Sequence, residues 1–253
     1  MSNTPARPTT SGTTRMERYR SARRDHELVV LEGFHAVKHA LRFGASILEI
    51  AVRSRDEIDT LARQLAPDVC GGLAEADELP QAEFDTLSPL PHPTGLIAIA
   101  RRSNVDPVSL ANSAATEPLV FLEQPAHLGN LGAAVRVGAA AGACGLLTSG
   151  QHDPWSPEAV RAAAGLQFAL VSARVDQLPV TSRPLIALDP EGEPISTCRL
   201  PPRAILAFGP ERHGLSQSVL RRAEHRVAIP MTPGVSSLNL ATAVAVALYA
   251  FRH

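Results

Sequence analysis

The segment that most restricts the fold of this chain is its last one, I-P-M-T-P-G-V-S-S-L-N-L-A-T-A-V-A-V-A-L-Y-A over residues 229–250. A short apolar strand ends at Pro230, and a loop carrying Pro233 and Gly234 follows. Ser236, Ser237 and Asn239 then stand just ahead of an almost wholly apolar helix. Such a helix has to be buried, and polar side chains and unpaired N–H groups at a buried helix start are costly unless something uses them. The run therefore implies a ligand pocket near the C-terminus, and two upstream segments carry residues suited to completing it.

The 253 residues leave room for one large domain or two modest ones. No stretch is long and apolar enough to span a bilayer, and the N-terminus lacks the apolar core of a secretory signal. Cys70, Cys144 and Cys198 are scattered and odd in number. They fit a reducing cytoplasm and argue against a disulfide framework or a zinc site, so no metal is expected. The formal net charge of -1 gives no general pointer to nucleic acid. Its distribution says more: Arg7, Arg15, Arg18, Arg20, Arg23 and Arg24 face only Glu17 in the first segment, and Lys38 is the single lysine. An RNA-binding arm and a solvated basic tail are both compatible with that run.

Residues 1–24, rich in Ser, Thr, Pro and Arg, are expected to be disordered. A regular pattern then begins, with strands at 28–31 and 47–52, helices at 33–41 and 55–65, and a closing strand at 96–100 after Pro91 and Pro93. This alternation predicts a small α/β domain over residues 25–101. Residues 102–117 lose the periodicity and read as a linker. A second α/β domain over residues 118–253 is predicted from strands at 119–122, 145–147, 184–188, 204–208 and 226–229, alternating with helices at 131–143, 157–165, 216–222 and 238–251.

Three loops of the second domain carry candidate chemistry. The first, H-L-G-N-L-G-A-A-V-R at residues 127–136, follows a strand directly. Asn130 is suited to cap the next helix, and Arg136 sits among small apolar residues, where burial would demand a partner. The turn is not a dinucleotide fingerprint, because G-N-L-G-A-A lacks the third glycine, and no Walker lysine is present. The second, F-G-P-E-R-H-G-L-S at residues 208–216, places Gly209 and Glu211 at the carboxyl edge of a strand, where open α/β sheets bind ligands. Glu211 could equally serve only the dipole of the following helix, and His213 is a possible base but more ordinary as a surface residue. The third is the C-terminal run. There Ile229, Met231 and Leu238 would line an apolar slot beside Ser237 and Asn239, suited to a flat ligand such as adenine.

With N-L-G-A-A-V-R, F-G-P-E-R-H-G-L-S and I-P-M-T-P-G-V-S-S-L-N in this order, residues 118–253 resemble the SpoU (TrmH-like) RNA ribose methyltransferases of the SPOUT superfamily. E-G-F-H-A-V-K-H-A-L at residues 32–41 is similar to the small L30e-like RNA-binding domain often found ahead of them. The resemblance implies an α/β catalytic domain with a parallel sheet and a C-terminal trefoil knot, a rare exception among folds. It also implies S-adenosylmethionine bound in that knot, RNA as substrate, and a homodimer. Cofactor contacts would fall at Gly209, Ile229 and Leu238, with Leu188, Met231 and Ser237 beside them. Arg136 would be the central catalytic residue, with Asn130, Glu211, Ser237 and Asn239 arranging it and the ribose.

The implied reaction is methyl transfer to a ribose 2′-OH of ribosomal or transfer RNA. A guanidinium holds its proton too firmly to be a good base, so the part implied for Arg136 is electrostatic. The chain departs from the family where D-P commonly precedes the first motif, at Ala163, where relatives often carry Ser, and at Pro210 and His213. The approach D-P-W-S-P at residues 153–157 is also unusual. A non-catalytic RNA-binding protein of the same fold and a base methyltransferase are the alternative expectations.

Overall fold

The computed structural model describes residues 13–90, 94–235 and 237–251. Arg7 of the basic tail, Pro91, Pro93 and Ser236 lie outside the described residues.

The chain forms two sheets. The first holds β1 (Leu28–Glu32), β2 (Ile47–Val52), β3 (Asp77–Glu78) and β4 (Leu96–Arg101) in the order β1-β4-β2-β3. β4 runs antiparallel to both neighbours, while β2 and β3 are parallel. On one face lie α2 (Phe34–Arg42), α3 (Arg55–Leu65) and α4 (Cys70–Leu73). Each helix has a readable cause. Ser54 caps α3 by accepting from the Glu57 amide, and α2 turns Phe34, Ala36, Val37 and Ala40 inward.

The opposite face departs from expectation. Residues 15–22 of the predicted disordered tail form α1 (Arg15–Ala22), which starts with a reciprocal Thr14–Glu17 capping box and buries Tyr19 and Ala22. With α5 (Gln81–Phe84), α1 covers an apolar layer that includes Val30, Ala51, Ile97 and Ile99. The basic composition misleads because the countercharges are distant in sequence. Arg15 pairs with Glu49 at 2.7 Å and Asp77 at 2.6 Å, and Arg18 pairs with Glu49 at 2.9 Å.

The expected linker is also ordered. Asp106 caps α6 (Pro107–Ala111), whose Leu110 and Ala111 are buried in the second unit. Behind it the buried Arg183 donates to the carbonyls of Ser113, Ala115, Glu117 and Arg203. One guanidinium thus satisfies a strap of backbone that carries no periodicity of its own.

The second sheet contains β5 (Leu119–Leu122), β6 (Gly145–Ser149), β7 (Ser172–Val175), β8 (Leu185–Pro194), β9 (Ile205–Phe208) and β10 (His225–Ala228) in the order β10-β8-β9-β5-β6-β7. All five pairings are parallel. The expected strands are present, and β7 is an addition. Between them run α7 (Leu128–Ala141), α8 (Pro157–Ala163), α9 (Gln217–Arg222) and α10 (Leu240–Ala250), with α10 packed against α7. The sheet grows from β5 to β7, then restarts on the other side with β8. Its winding reverses between β5 and β9, and crevices form at the carboxyl ends of strands at such a point.

Candidate active site

Strand pairing brings the first two loops together. Leu122 at the end of β5 pairs with Phe208 at the end of β9, so the loops leaving them start as neighbours. Within the first, Asn130 is not the cap: α7 begins at Leu128, and Asn130 lies in its first turn. Its Nδ2 donates to Glu211 Oε1 at 2.5 Å. The α9 helix is capped by Ser216, which also bonds Glu123 at the end of β5 at 2.6 Å, so Glu211 is free of any capping duty.

The third loop joins the same network. Asn239 Oδ1 accepts from the Ala241 and Thr242 amides at the start of α10, and its Nδ2 donates to Asn130 Oδ1 at 2.9 Å. This settles the direction of the whole chain. Backbone N–H groups can only donate, so they fix the Asn239 oxygen, which points its amino group at the Asn130 oxygen. The Asn130 amino group is then left for Glu211. The second carboxylate oxygen, Glu211 Oε2, is buried without a hydrogen-bond partner. A buried acceptor of that kind calls for a donor from a ligand.

Beside this network lies a cleft of about 500 Å³. Leu188, Gly209, Ile229, Met231, Ser237 and Leu238 all line it, and so does Glu211. Gly209 is required by close approach: a Cβ there would overlap the backbone of Gly214 and Leu215, where the loop folds back on itself. One wall comes from an irregularity that periodicity does not reveal. Arg226 pairs with Ala187 on β8, but its successor Val227 pairs with Glu193, so residues 188–192 drop out of that ladder and residues 188–191 line the cleft. Bulges of this sort commonly re-aim side chains near sites. They bring Asp189 and Glu191 to the wall, where Arg226 Nε lies 3.3 Å from Asp189. Sequence reasoning missed these three residues; D-P-E-G after an apolar strand was their only signal.

Arg136 stands apart. It is exposed on α7, and among the described residues it has no hydrogen bond or ion pair. Six residues after Asn130, it is displaced about 9 Å along the helix and points from a different side. Being exposed, its side chain needs no buried partner. The structure thus joins Asn130, Glu211 and Asn239, sets Ser237 on the cleft, and does not bring Arg136 to them within one chain.

A wholly parallel α/β domain with a cleft at its switch point, flanked by a carboxamide–carboxylate chain, has the layout in which α/β domains hold ligands. The chain belongs to the SpoU rRNA Methylase family, whose model matches residues 117–249, more than half of its length. It is 38% identical over 142 residues to an uncharacterized tRNA/rRNA methyltransferase of Synechocystis, covering 53% of this chain and 52% of that protein. It is 30% identical over 144 residues to the 23S rRNA (uridine(2479)-2'-O)-methyltransferase of Streptomyces viridochromogenes, covering 51% and 50%. The chain spans about half the length of these curated relatives. The fold is shared with the SpoU methyltransferase AviRb from Streptomyces viridochromogenes in complex with AdoMet, at a TM-score of 0.72 and 22% identity over 94% of this chain and 92% of that one.

Proposed function

We propose that this protein is an S-adenosylmethionine-dependent RNA methyltransferase that modifies a ribose 2′-OH of ribosomal or transfer RNA. The observation that carries this reading is the Asn239–Asn130–Glu211 chain, ending in an unpartnered carboxylate oxygen beside the cleft. In this reading residues 25–101 hold the RNA and residues 118–253 form the catalytic domain. The return of the chain from edge strand β10 to α10 against α7 is in keeping with a trefoil knot. Val246 and Tyr249, exposed on α10, support a homodimer. Cysteines without disulfides and the absence, among the described residues, of a helix long enough to cross a membrane are in keeping with work on RNA in the cytoplasm.

The residues present fit the cofactor. Leu188, Met231 and Leu238 offer apolar walls to an adenosyl group, while Gly209, Ile229 and Leu238 offer backbone partners, and Glu211 supplies an open acceptor. When bound, the cofactor supplies an electrophilic methyl on a sulfonium. The chain's own task is to place a poor nucleophile in line and to favour charge developing on it. Glu211 Oε2 accepts the hydrogen bond of the incoming hydroxyl and holds its lone pair toward the cleft. Asn130, locked by Asn239, keeps the carboxylate from turning. Arg136, a cation on the open side of α7, stabilises negative charge on the ribose and its phosphate.

The test is transfer of labelled methyl groups to RNA prepared from cells lacking this protein, followed by nucleoside analysis. A labelled 2′-O-methyl nucleoside is expected, and its size fraction identifies ribosomal or transfer RNA. A labelled base, or the absence of any cofactor binding, would overturn the reading.

A further inference from the structure

The catalytic reading uses Arg136 but leaves His35 and Lys38 of the first unit without a part. His35 and Lys38 lie on adjacent turns of α2 in the first unit, with Lys38 Nζ donating to His35 Nδ1 at 3.3 Å. The next turn of the same stripe carries Arg42, but its guanidinium is spent on Asp68, at 2.6 and 2.7 Å. That pairing also engages the carboxylate whose charge acts on Lys38. Among the described residues, neither Lys38 nor Arg136 has an ion-pair partner.

Packing places α2 against the region that faces Arg136. His39 Nδ1 lies 2.7 Å from the Ala164 carbonyl at the end of α8. Gly165 sits against Ala36 so closely that a Cβ would overlap its backbone, and at φ +74° the position also favours glycine. On α7, Gly132 presses against Ala159 of α8, and Arg136 lies one turn further along the same face. Both helices therefore converge on α8 and the turn after it, with His35 and Arg136 exposed on the outside. The charges feel one another. Burial first, then the positive charges of Lys38 and Arg136, pulls the His35 imidazole below its usual range, and Lys38 is likewise lowered by burial and then by Arg42, opposed by Asp68 and aided by Arg136.

Lys38 and Arg136 repel across the two units, with Asp68 shared with Arg42, and an anion relieves that repulsion. We infer that His35, Lys38 and Arg136 form one composite site for the phosphodiester backbone of RNA, built across the junction of the two units. The inference rests on the proposed RNA substrate and adds where the first unit grips it. Lys38 and Arg136 bear on the phosphate oxygens, and neutral His35, accepting from Lys38 through Nδ1, offers Nε2–H as a further donor. The site lies between the small unit and α7, so a phosphate held there sets the register of the strand relative to the catalytic cleft.

The experiment compares wild type, Lys38→Ala, Lys38→Arg and His35→Ala for binding to unmodified transcripts of 23S rRNA and of tRNA across a salt series. Cofactor binding and thermal melting are followed in parallel. Removal of Lys38 is expected to flatten the slope of log affinity against log salt by about one while cofactor binding stays unchanged, and Lys38→Arg restores the slope. His35→Ala weakens binding by a smaller factor with the slope kept. If wild type binds and methylates RNA but Lys38→Ala has the wild-type slope, the composite site is wrong and the proposed function stands. If wild type neither binds nor methylates any RNA, the functional reading falls, and this inference with it.

Discussion

Asn239 does two things with one side chain: its oxygen caps α10, and its amino group orders Asn130 and through it Glu211. Asn239→Asp separates them, since a carboxylate still caps but cannot donate. Melting temperature is expected to stay near wild type while methyl transfer falls at least tenfold; wild-type turnover in this variant, with a loss only in Asn239→Ala, would show that only the cap mattered. Gly209→Ala tests the cleft. Its Cβ has no room against the Gly214–Leu215 backbone, so the loop must shift at a cost of about 1–3 kcal/mol, with cofactor affinity lost in a calorimetric titration. For Arg136→Ala, in contrast, cofactor binding is expected to persist while kcat drops at least a hundredfold. Retained turnover would remove Arg136 from the mechanism. At this scale the fold brings Asn130, Glu211 and Asn239 of the three motifs into one hydrogen-bonded set and leaves Arg136 outside it. Asp189, Glu191 and Arg226 were missed because a register shift between two strands puts them on the cleft, and D-P-E-G alone does not say where that shift falls.

Among the elements, α2 docks through a titratable contact to the second unit. A carbonyl only accepts, so His39 must donate through Nδ1 to Ala164. Burial nevertheless lowers its pKa below the ordinary 6.5, opposed by that bond and aided by Lys38, Arg42 and His35. Between the folded value and 6.5 the unfolded chain binds a proton that the folded one does not, so stability rises with pH in that window. This contribution is complete above 6.5 and is lost as pH falls through the folded value. Acid unfolding followed by circular dichroism should therefore be less steep in His39→Gln than in wild type; superimposable pH profiles would count against it. The regular elements were readable from periodicity, with α3 and β5 matching their expected bounds. The errors at α1 and α6 share a cause. Both segments look polar and aperiodic, and both are held by partners far along the chain: Glu49 and Asp77 for Arg15, and Arg183 for the strap.

Across the whole molecule the two units are tied by contacts on several scales. Glu32 accepts from Arg23 at 2.7 Å and from Arg161 at 3.0 Å, and Arg102 reaches Asp153 at 2.9 Å. The unusual D-P-W-S-P approach finds its explanation here. Trp155, the only tryptophan, leaves the second unit to join the core of the first and meets Phe168 edge-on at 5.1 Å. Trp155→Ala is expected to cost about 3–5 kcal/mol, read from the denaturant midpoint by circular dichroism, while cofactor affinity is kept because Trp155 does not line the cleft. Loss of affinity along with stability would mean that the cleft depends on the junction.

What the sequence determined by itself was whatever a short window can hold. Strand and helix periods gave two α/β units, and three motifs, each placed directly after a strand, marked the residues of one site. Tertiary structure alone decided the rest. The switch in strand order brought β5 and β9 side by side, so Asn130 could meet Glu211. The return of α10 brought Asn239 to them and gave the network its direction. The docking of α2 on α8 set Lys38 near Arg136, and Glu49 and Asp77 of the first sheet neutralised a tail that composition left in solvent. Each of these depends on pairings between residues tens of positions apart, and local propensity contains no information about which distant partner supplies the countercharge, the donor or the apolar face.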